Sequence, residues 1–208
     1  MIDSRTDIVL TVQHAFHRIG ARVADSEAIG PLIGKPLKDY PRLLGYQITP
    51  EQNADFVQAY RTYYAEHMND NTRLYPGVRE TLETFKQRSL KLAVVTTKRQ
   101  DQAELVVERM GLASYIDHVR GWLETRKNKP DPEPVLDALQ ALGAQPEQGL
   151  MIGDSEQDIM AAQAAHVDSC ACLYGFRDPD YLRSLNPTYT VGSFPEILDL
   201  VLPAGDSR

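Results

Sequence analysis

The segment that most constrains this chain is residues 149–158, Gly-Leu-Met-Ile-Gly-Asp-Ser-Glu-Gln-Asp, in which a short apolar run ends at Gly153 and gives way to Asp154, Ser155 and Asp158. An unbroken apolar run of that length suits a strand covered on both faces, the usual state of a strand in a parallel sheet. Open α/β sheets place their ligands at the carboxyl ends of such strands, where the chain turns into the next helix. On a helix starting near Ser155, the side chain of Asp158 leans back toward the strand mouth and Asp154. Two carboxylates at that corner offer the oxygen ligands that a hard cation such as Mg²⁺ requires. The same residues also suit a plainer role, with Asp154 and Ser155 capping the helix and Asp158 as a first-turn acid favoured by the helix dipole.

The rest of the chain supplies the sheet that this corner needs. Ile8, Val9, Val12, Ala15, Phe16 and Ile19 fall at helical spacing, and Gly20 can provide the left-handed stop. A short helical patch follows between Leu32 and Gly45, and Thr49-Pro50-Glu51 opens a further helix through Phe56, Tyr60, Tyr63 and Tyr64. From Tyr75-Pro76-Gly77-Val78 onward the pattern becomes strand and helix in alternation. Helices are expected to about Gln87, through Leu105, Val106 and Met110 to Gly111, over 133–142 before Gly143, and over 156–165; strands are expected over 91–97, 116–119, 149–153 and 169–173, followed by a last strand and helix. Ser193 and Glu196 have the spacing of a capping box for that last helix. This alternation predicts an α/β fold, a doubly wound parallel sheet over residues 73–208, preceded by a helical domain over 5–72.

Charge and cysteine usage narrow the partners. With 208 residues, a formal net charge of -7 and an isoelectric point of about 5.2, the chain lacks the basic surface that nucleic acid or an anionic membrane would need. A small phosphorylated metabolite stays compatible with that balance, since one pocket can be basic inside an acidic molecule. No apolar run approaches the roughly 18 residues of a membrane span, and Met1-Ile-Asp-Ser-Arg-Thr-Asp has no signal-peptide order, so the expected location is cytoplasmic, as a monomer or homodimer. Cys170 and Cys172 sit at alternate strand positions and read as packing thiols. His14, His17, His67 and His118 show no metal-ligand pairing, Tyr60, Tyr63 and Tyr64 read as helix packing, and Lys35 and Arg61 as solvated charges.

Two more segments carry chemistry. The strand over 91–97 ends in Thr96, Thr97 and Lys98, which sets two hydroxyls and an ammonium at a sheet edge where a phosphate could bind. In Lys127-Asn-Lys-Pro-Asp-Pro-Glu-Pro, Asp131 suits a helix N-cap with Pro132 at the first helical position, and the prolines stiffen the approach so that Lys129 is aimed at little entropic cost.

Thr96 at a strand end, Lys129 before Pro130, and Gly153-Asp154-Ser155 with Asp158, in that order, resemble the second, third and fourth motifs of the haloacid dehalogenase superfamily; Tyr75-Pro76-Gly77-Val78 brings the chain close to its phosphoglycolate phosphatase branch. The resemblance implies a Rossmann-like core with an inserted helical cap, and Mg²⁺-dependent hydrolysis of small phosphate monoesters. It further implies that Thr96, with Thr97 and Lys98 beside it, binds the phosphoryl group, that Lys129 steadies its charge, and that Asp154 and Asp158 hold Mg²⁺ directly or through water.

One departure stands out. The family's first motif, D-x-D-G-T, carries the aspartate nucleophile and a second aspartate as acid and base, whereas Met1-Ile2-Asp3-Ser4 matches only the Asp-Ser downstream of it. The resemblance therefore implies a nucleophile and a central strand encoded upstream of Met1, with these residues alone nearly inactive and poorly stable. A second class of function follows from the same departure: a catalytically inactive relative that keeps the pocket for phosphate binding or interaction. His166 also stands where the family pattern has Gly, and reads as a turn residue.

Overall fold

A computed structural model of the protein describes residues 1–202, which divide into two compact units, Ile2–Arg73 and the chain from Leu74 onward together with Met1. The first unit holds the helices α1 (Arg5–Arg18), α2 (Ser26–Ile29), α3 (Tyr40–Leu43) and α4 (Pro50–His67), and the two-residue strands β1 (Ile2–Asp3) and β2 (Arg73–Leu74) bound it in sequence. The helical spacing noted in α1 is its buried face: Ile8, Val9, Val12, Ala15 and Phe16 all lie inside, with Phe16 against the rings of Tyr46 and Phe56 at 4.4 and 4.7 Å between centroids. Gly20 (φ +68°) ends the helix, letting Ala21 N–H donate to Phe16 C=O at 3.0 Å. α4 opens on a reciprocal cap, in which Thr49 Oγ1 accepts from Gln52 N–H at 3.2 Å and Gln52 Oε1 accepts from Thr49 N–H at 3.0 Å. Tyr64 is buried, and Tyr63 stacks between His14 and His67 at 4.0 and 4.1 Å.

Asp7 closes this unit. Its carboxylate, buried in the first turn of α1, accepts from Asn71 N–H (2.9 Å), Asn71 Nδ2 (2.9 Å), Thr72 N–H (2.7 Å) and Thr72 Oγ1 (2.6 Å). Neutral donors thus replace water around a buried charge, the condition under which such a charge is tolerated.

In the second unit α5 (Val78–Gln87) precedes β3 (Ala93–Arg99), α6 (Gln100–Arg109) and β4 (His118–Trp122); α7 (Glu133–Leu142), β5 (Leu150–Gly153), α8 (Glu156–Ala164), β6 (Asp168–Cys172), α9 (Pro179–Ser184), β7 (Tyr189–Val191) and α10 (Ile197–Val201) follow. All its ladders are parallel, β3 with β4 and β5–β6–β7 in order, which makes the core a Rossmann-like α/β fold. One apolar cluster packs Val78, Leu82 and Phe85 of α5 against Cys170, Cys172 and Val191; another joins Val135 and Leu139 of α7 to Ala161 and Ala162 of α8. The two cysteines are free and buried, and burial pushes their thiols up to about 12 and about 11, so both are packing groups.

Several expected boundaries move. β3 and β4 start two residues later than their apolar runs, because Leu92 N–H is taken by Asp117 Oδ2 at 2.8 Å and the ladder begins only at Ala93 and His118. α9, which the sequence pattern did not reveal, is a single short helix capped by Asp178, whose Oδ1 accepts from Tyr181 N–H at 2.9 Å. Glu196 accepts from Gly192 N–H and Ser193 Oγ, both at 2.8 Å, but α10 starts only at Ile197, so this pair closes the turn before the helix instead of boxing its first turn. His166 is left-handed at φ +56°, where the expected turn falls.

Replacing Asp7 by Ala leaves two backbone donors, of Asn71 and Thr72, without their acceptor. The variant should lose roughly 2–4 kcal/mol in urea unfolding with an unchanged denaturant slope; a loss under about 1 kcal/mol would show that water replaces the carboxylate freely.

Candidate functional site

The site is built at the carboxyl ends of β3 and β5. Among the described residues no ladder joins these two strands, and each is only half-buried along most of its length. Lys129 spans them. Its side chain is buried, and Nζ donates to Val95 C=O of β3 at 2.6 Å and to Asp158 Oδ1 of α8 at 2.5 Å. The lysine is delivered by a loop whose turn is fixed by Asp131: its Oδ1 accepts from Glu133 N–H at 3.0 Å and its other oxygen pairs with Lys127 at 3.1 Å. The N-cap of α7 is Pro132 and not Asp131 as expected, because the helix starts at Glu133; Asp131 closes the turn one residue earlier.

Asp158 does lean back to the strand mouth. Its Oδ2 accepts from Ser155 N–H at 3.0 Å and from Ser155 Oγ at 2.7 Å, while Oδ1 holds Lys129. A side chain at position 153 would forbid this posture, since a Cβ there would lie 2.2 Å from Asp158 Cγ. Gly153 and Asp158 are therefore one geometric unit, the glycine making room for the acid five residues on. Asp154 has a matching neighbour: a Cβ at position 175 would lie 2.2 Å from Asp154 Cβ, and Phe176 N–H donates to Asp154 Oδ2 at 3.0 Å. The turn over 175–177 is held in turn by Arg177, whose Nε pairs with Glu156 Oε2 at 2.6 Å.

The electrostatics of the corner follow from burial. Burial raises the Asp154 carboxyl above the usual aspartate range, and the neighbouring Asp158 charge raises it further. Two acids with one lysine between β3 and β5 thus leave the Asp154 charge under-compensated.

Of the residues expected here, Lys129, Asp154 and Asp158 come together, and Thr96 directly follows the residue whose carbonyl holds Lys129. Thr96 is half-buried and its Oγ1 accepts from Lys98 N–H at 3.2 Å. Thr97 is exposed, on the strand face opposite Thr96 and Lys98. As a donor set for a hard cation, among the described residues no three His, Cys, Asp or Glu side chains cluster. Asp158 accepts from Lys129 and Ser155, and Asp154 from Phe176; each carboxylate keeps lone-pair capacity with which it could ligate a hard cation. Gly175 and Phe176 escaped the sequence pattern, although their place just past the next strand's carboxyl end was the signal that could have found them.

This arrangement defines a class: a Rossmann-like α/β core with a charged site at its strand ends. The family model described as haloacid dehalogenase-like hydrolase matches residues 1–172, and the chain belongs to that family. The chain is 34% identical, over 81% of its length and 77% of the relative's, to pyrophosphatase PpaX of Halalkalibacterium halodurans. It is 28% identical to the phosphoglycolate phosphatase of Aquifex aeolicus, over 97% of this chain and 92% of that protein. Among solved structures, a predicted phosphoglycolate phosphatase from Haemophilus somnus superposes with a TM-score of 0.89 at 25% identity, covering 97% and 93% of the two chains.

The raised Asp154 pKa has a consequence for stability. The folded protein holds this proton more tightly than the unfolded chain, so stability falls as pH rises from the ordinary 3.8 through the folded value, and the penalty persists to neutral pH. Asp154→Asn keeps an acceptor for Phe176 and removes the penalty. In urea unfolding without divalent ions the variant should be more stable than the wild type at pH 7, with the difference closing below about pH 3.8; a less stable variant at pH 7 would contradict this electrostatic account.

Proposed function

We propose that the protein is a Mg²⁺-dependent phosphatase of small phosphate monoesters, similar to phosphoglycolate phosphatase, with its helical segment over 5–72 as cap domain and 73–208 as catalytic core. The observation that supports this most is the buried Lys129 ammonium, shared between Val95 C=O and Asp158 at the corner that also holds Asp154. A desolvated ammonium set beside an anion site stabilises charge that develops on a transferring phosphoryl group. Thr96 supplies a hydroxyl donor to the same group. Asp158 fixes the Lys129 ammonium and, through Ser155, the start of α8. Asp154 is the acid that would hold the divalent ion, which when bound would neutralise phosphoryl oxygens. Phosphoglycolate and pyrophosphate, the substrates that the relatives' names give, are the first to try. The charge balance supports a small-molecule partner in place of nucleic acid or an anionic membrane, and no helix among the described residues is long and apolar enough to cross a membrane; a cytoplasmic monomer or homodimer completes the proposal.

A second reading has its own support. The carboxylates at the corner are Asp154, turned to Phe176, and Asp158, turned to Lys129 and Ser155; both match the fourth motif, and neither matches the aspartate nucleophile of the first. Covalent phosphoryl transfer needs such a group. With the nucleophile supplied from upstream of Met1 the protein is an enzyme that passes through an aspartyl-phosphate; without it, the pocket is that of a phosphate-binding relative.

Protein expressed from the native gene with its upstream in-frame codons, assayed on a panel of phosphate monoesters and pyrophosphate, distinguishes the two. Turnover that requires Mg²⁺ and falls on the order of 10²–10³-fold in Lys129→Ala supports the phosphatase; phosphate binding with no turnover, beside an in-frame stop before the Met1 codon, supports the inactive relative.

A further inference from the structure

Outside the site, one buried charge has no part in the chemistry above. Arg120 lies in β4, opposite Val95 in the β3–β4 ladder, and its side chain is 5% exposed. Its guanidinium reaches three elements: Nε pairs with Asp137 Oδ2 of α7 at 2.9 Å, Nη1 donates to Gly121 C=O, and Nη2 donates to Lys127 C=O at 3.1 Å. Asp137 in turn accepts from Arg126 Nη2 at 2.8 Å, and Arg126 Nε pairs with Glu133 at 2.7 Å. The loop is thereby pinned at Arg126 and Lys127, immediately before Lys129.

A buried ion pair of this kind contributes little net stability compared with well-packed apolar residues, because desolvation offsets the attraction. Its forked donors do something else: they fix the relative placement of a strand, a helix and a loop carbonyl, which a lysine with its single nitrogen could not do. We infer that Arg120 is a positioning residue, holding the Lys127 carbonyl and α7 so that the Lys129 ammonium arrives between Val95 C=O and Asp158. Arg120 touches neither Lys129 nor the other site groups; it acts through the backbone of 127–129. The kinetic part of this inference rests on the phosphatase reading.

The test uses the protein expressed from its native gene with Arg120→Leu, Arg120→Lys, Lys129→Ala and the Arg120→Leu/Lys129→Ala pair. Arg120→Leu should lower kcat on the order of 10- to 100-fold with little change in KM, Arg120→Lys should restore little, and the double variant should lie within about twofold of Lys129→Ala, since the two act as one unit. A merely structural role would lower kcat by the same factor in both backgrounds, and that result overturns the inference. Hydrogen exchange supplies a readout free of activity: the amides of 124–128 should exchange faster in Arg120→Leu while those of β5 stay protected, and unchanged exchange at 124–128 also overturns it. If the wild type turns over no phosphate ester, the phosphatase reading falls and the exchange result alone judges Arg120. Should Arg120→Leu fail to fold, Asp137→Asn takes its place with the same expectations.

Discussion

The Lys129 ammonium is the one contact on which the functional core depends. β3 and β5 share no ladder among the described residues, and a single buried nitrogen bonds the backbone of one and the acid seated behind the end of the other. Removing one partner of a buried pair typically costs about 3–5 kcal/mol, because the other charge is left without compensation. The contact that fixes the buried ammonium thus also bridges the two sheet segments, beside the apolar cluster that both share.

Around that nitrogen the chain arranges three kinds of support. Glycines make room for carboxylates, Gly153 for Asp158 and Gly175 for Asp154. Backbone and hydroxyl donors orient them, from Ser155 and Phe176. The network of Arg120, Asp137 and Arg126 sets the loop that brings the lysine. The local charge is left incompletely balanced, and the proposed function draws on that: a divalent cation would bring the opposite charge to Asp154 and a phosphoryl group the opposite charge to Lys129.

Much of this was legible in the sequence because the signals were local. The apolar run ending in Gly153, the proline-stiffened approach to Lys129, the helix start at Thr49-Pro50-Glu51 and the helical stripe of α1 each depend on a few neighbouring residues, and each maps onto the fold within two residues. What escaped depends on distance in the chain. Asp7 reads as an ordinary first-turn acid until Asn71 and Thr72 come to it; Gly175 reads as a turn glycine until Asp154 abuts it; Arg120 falls just past the strand expected over 116–119 and finds its reason only in Asp137 and Lys127. A spacing of four residues places Asp158 at the corner, but it does not show that Lys129 and Ser155 orient its two oxygens.

In the proposed function Thr96, Lys129 and Asp154 face one cleft that takes an anion and a divalent cation together. Crystals soaked in Mn²⁺ and tungstate, measured near the absorption edges of both metals, decide this. A manganese peak is expected in coordination contact with Asp154 and a tungstate peak within hydrogen-bond reach of Lys129 Nζ and Thr96 Oγ1. Peaks confined to scattered surface positions, with this corner empty in the presence of both ions, would contradict it.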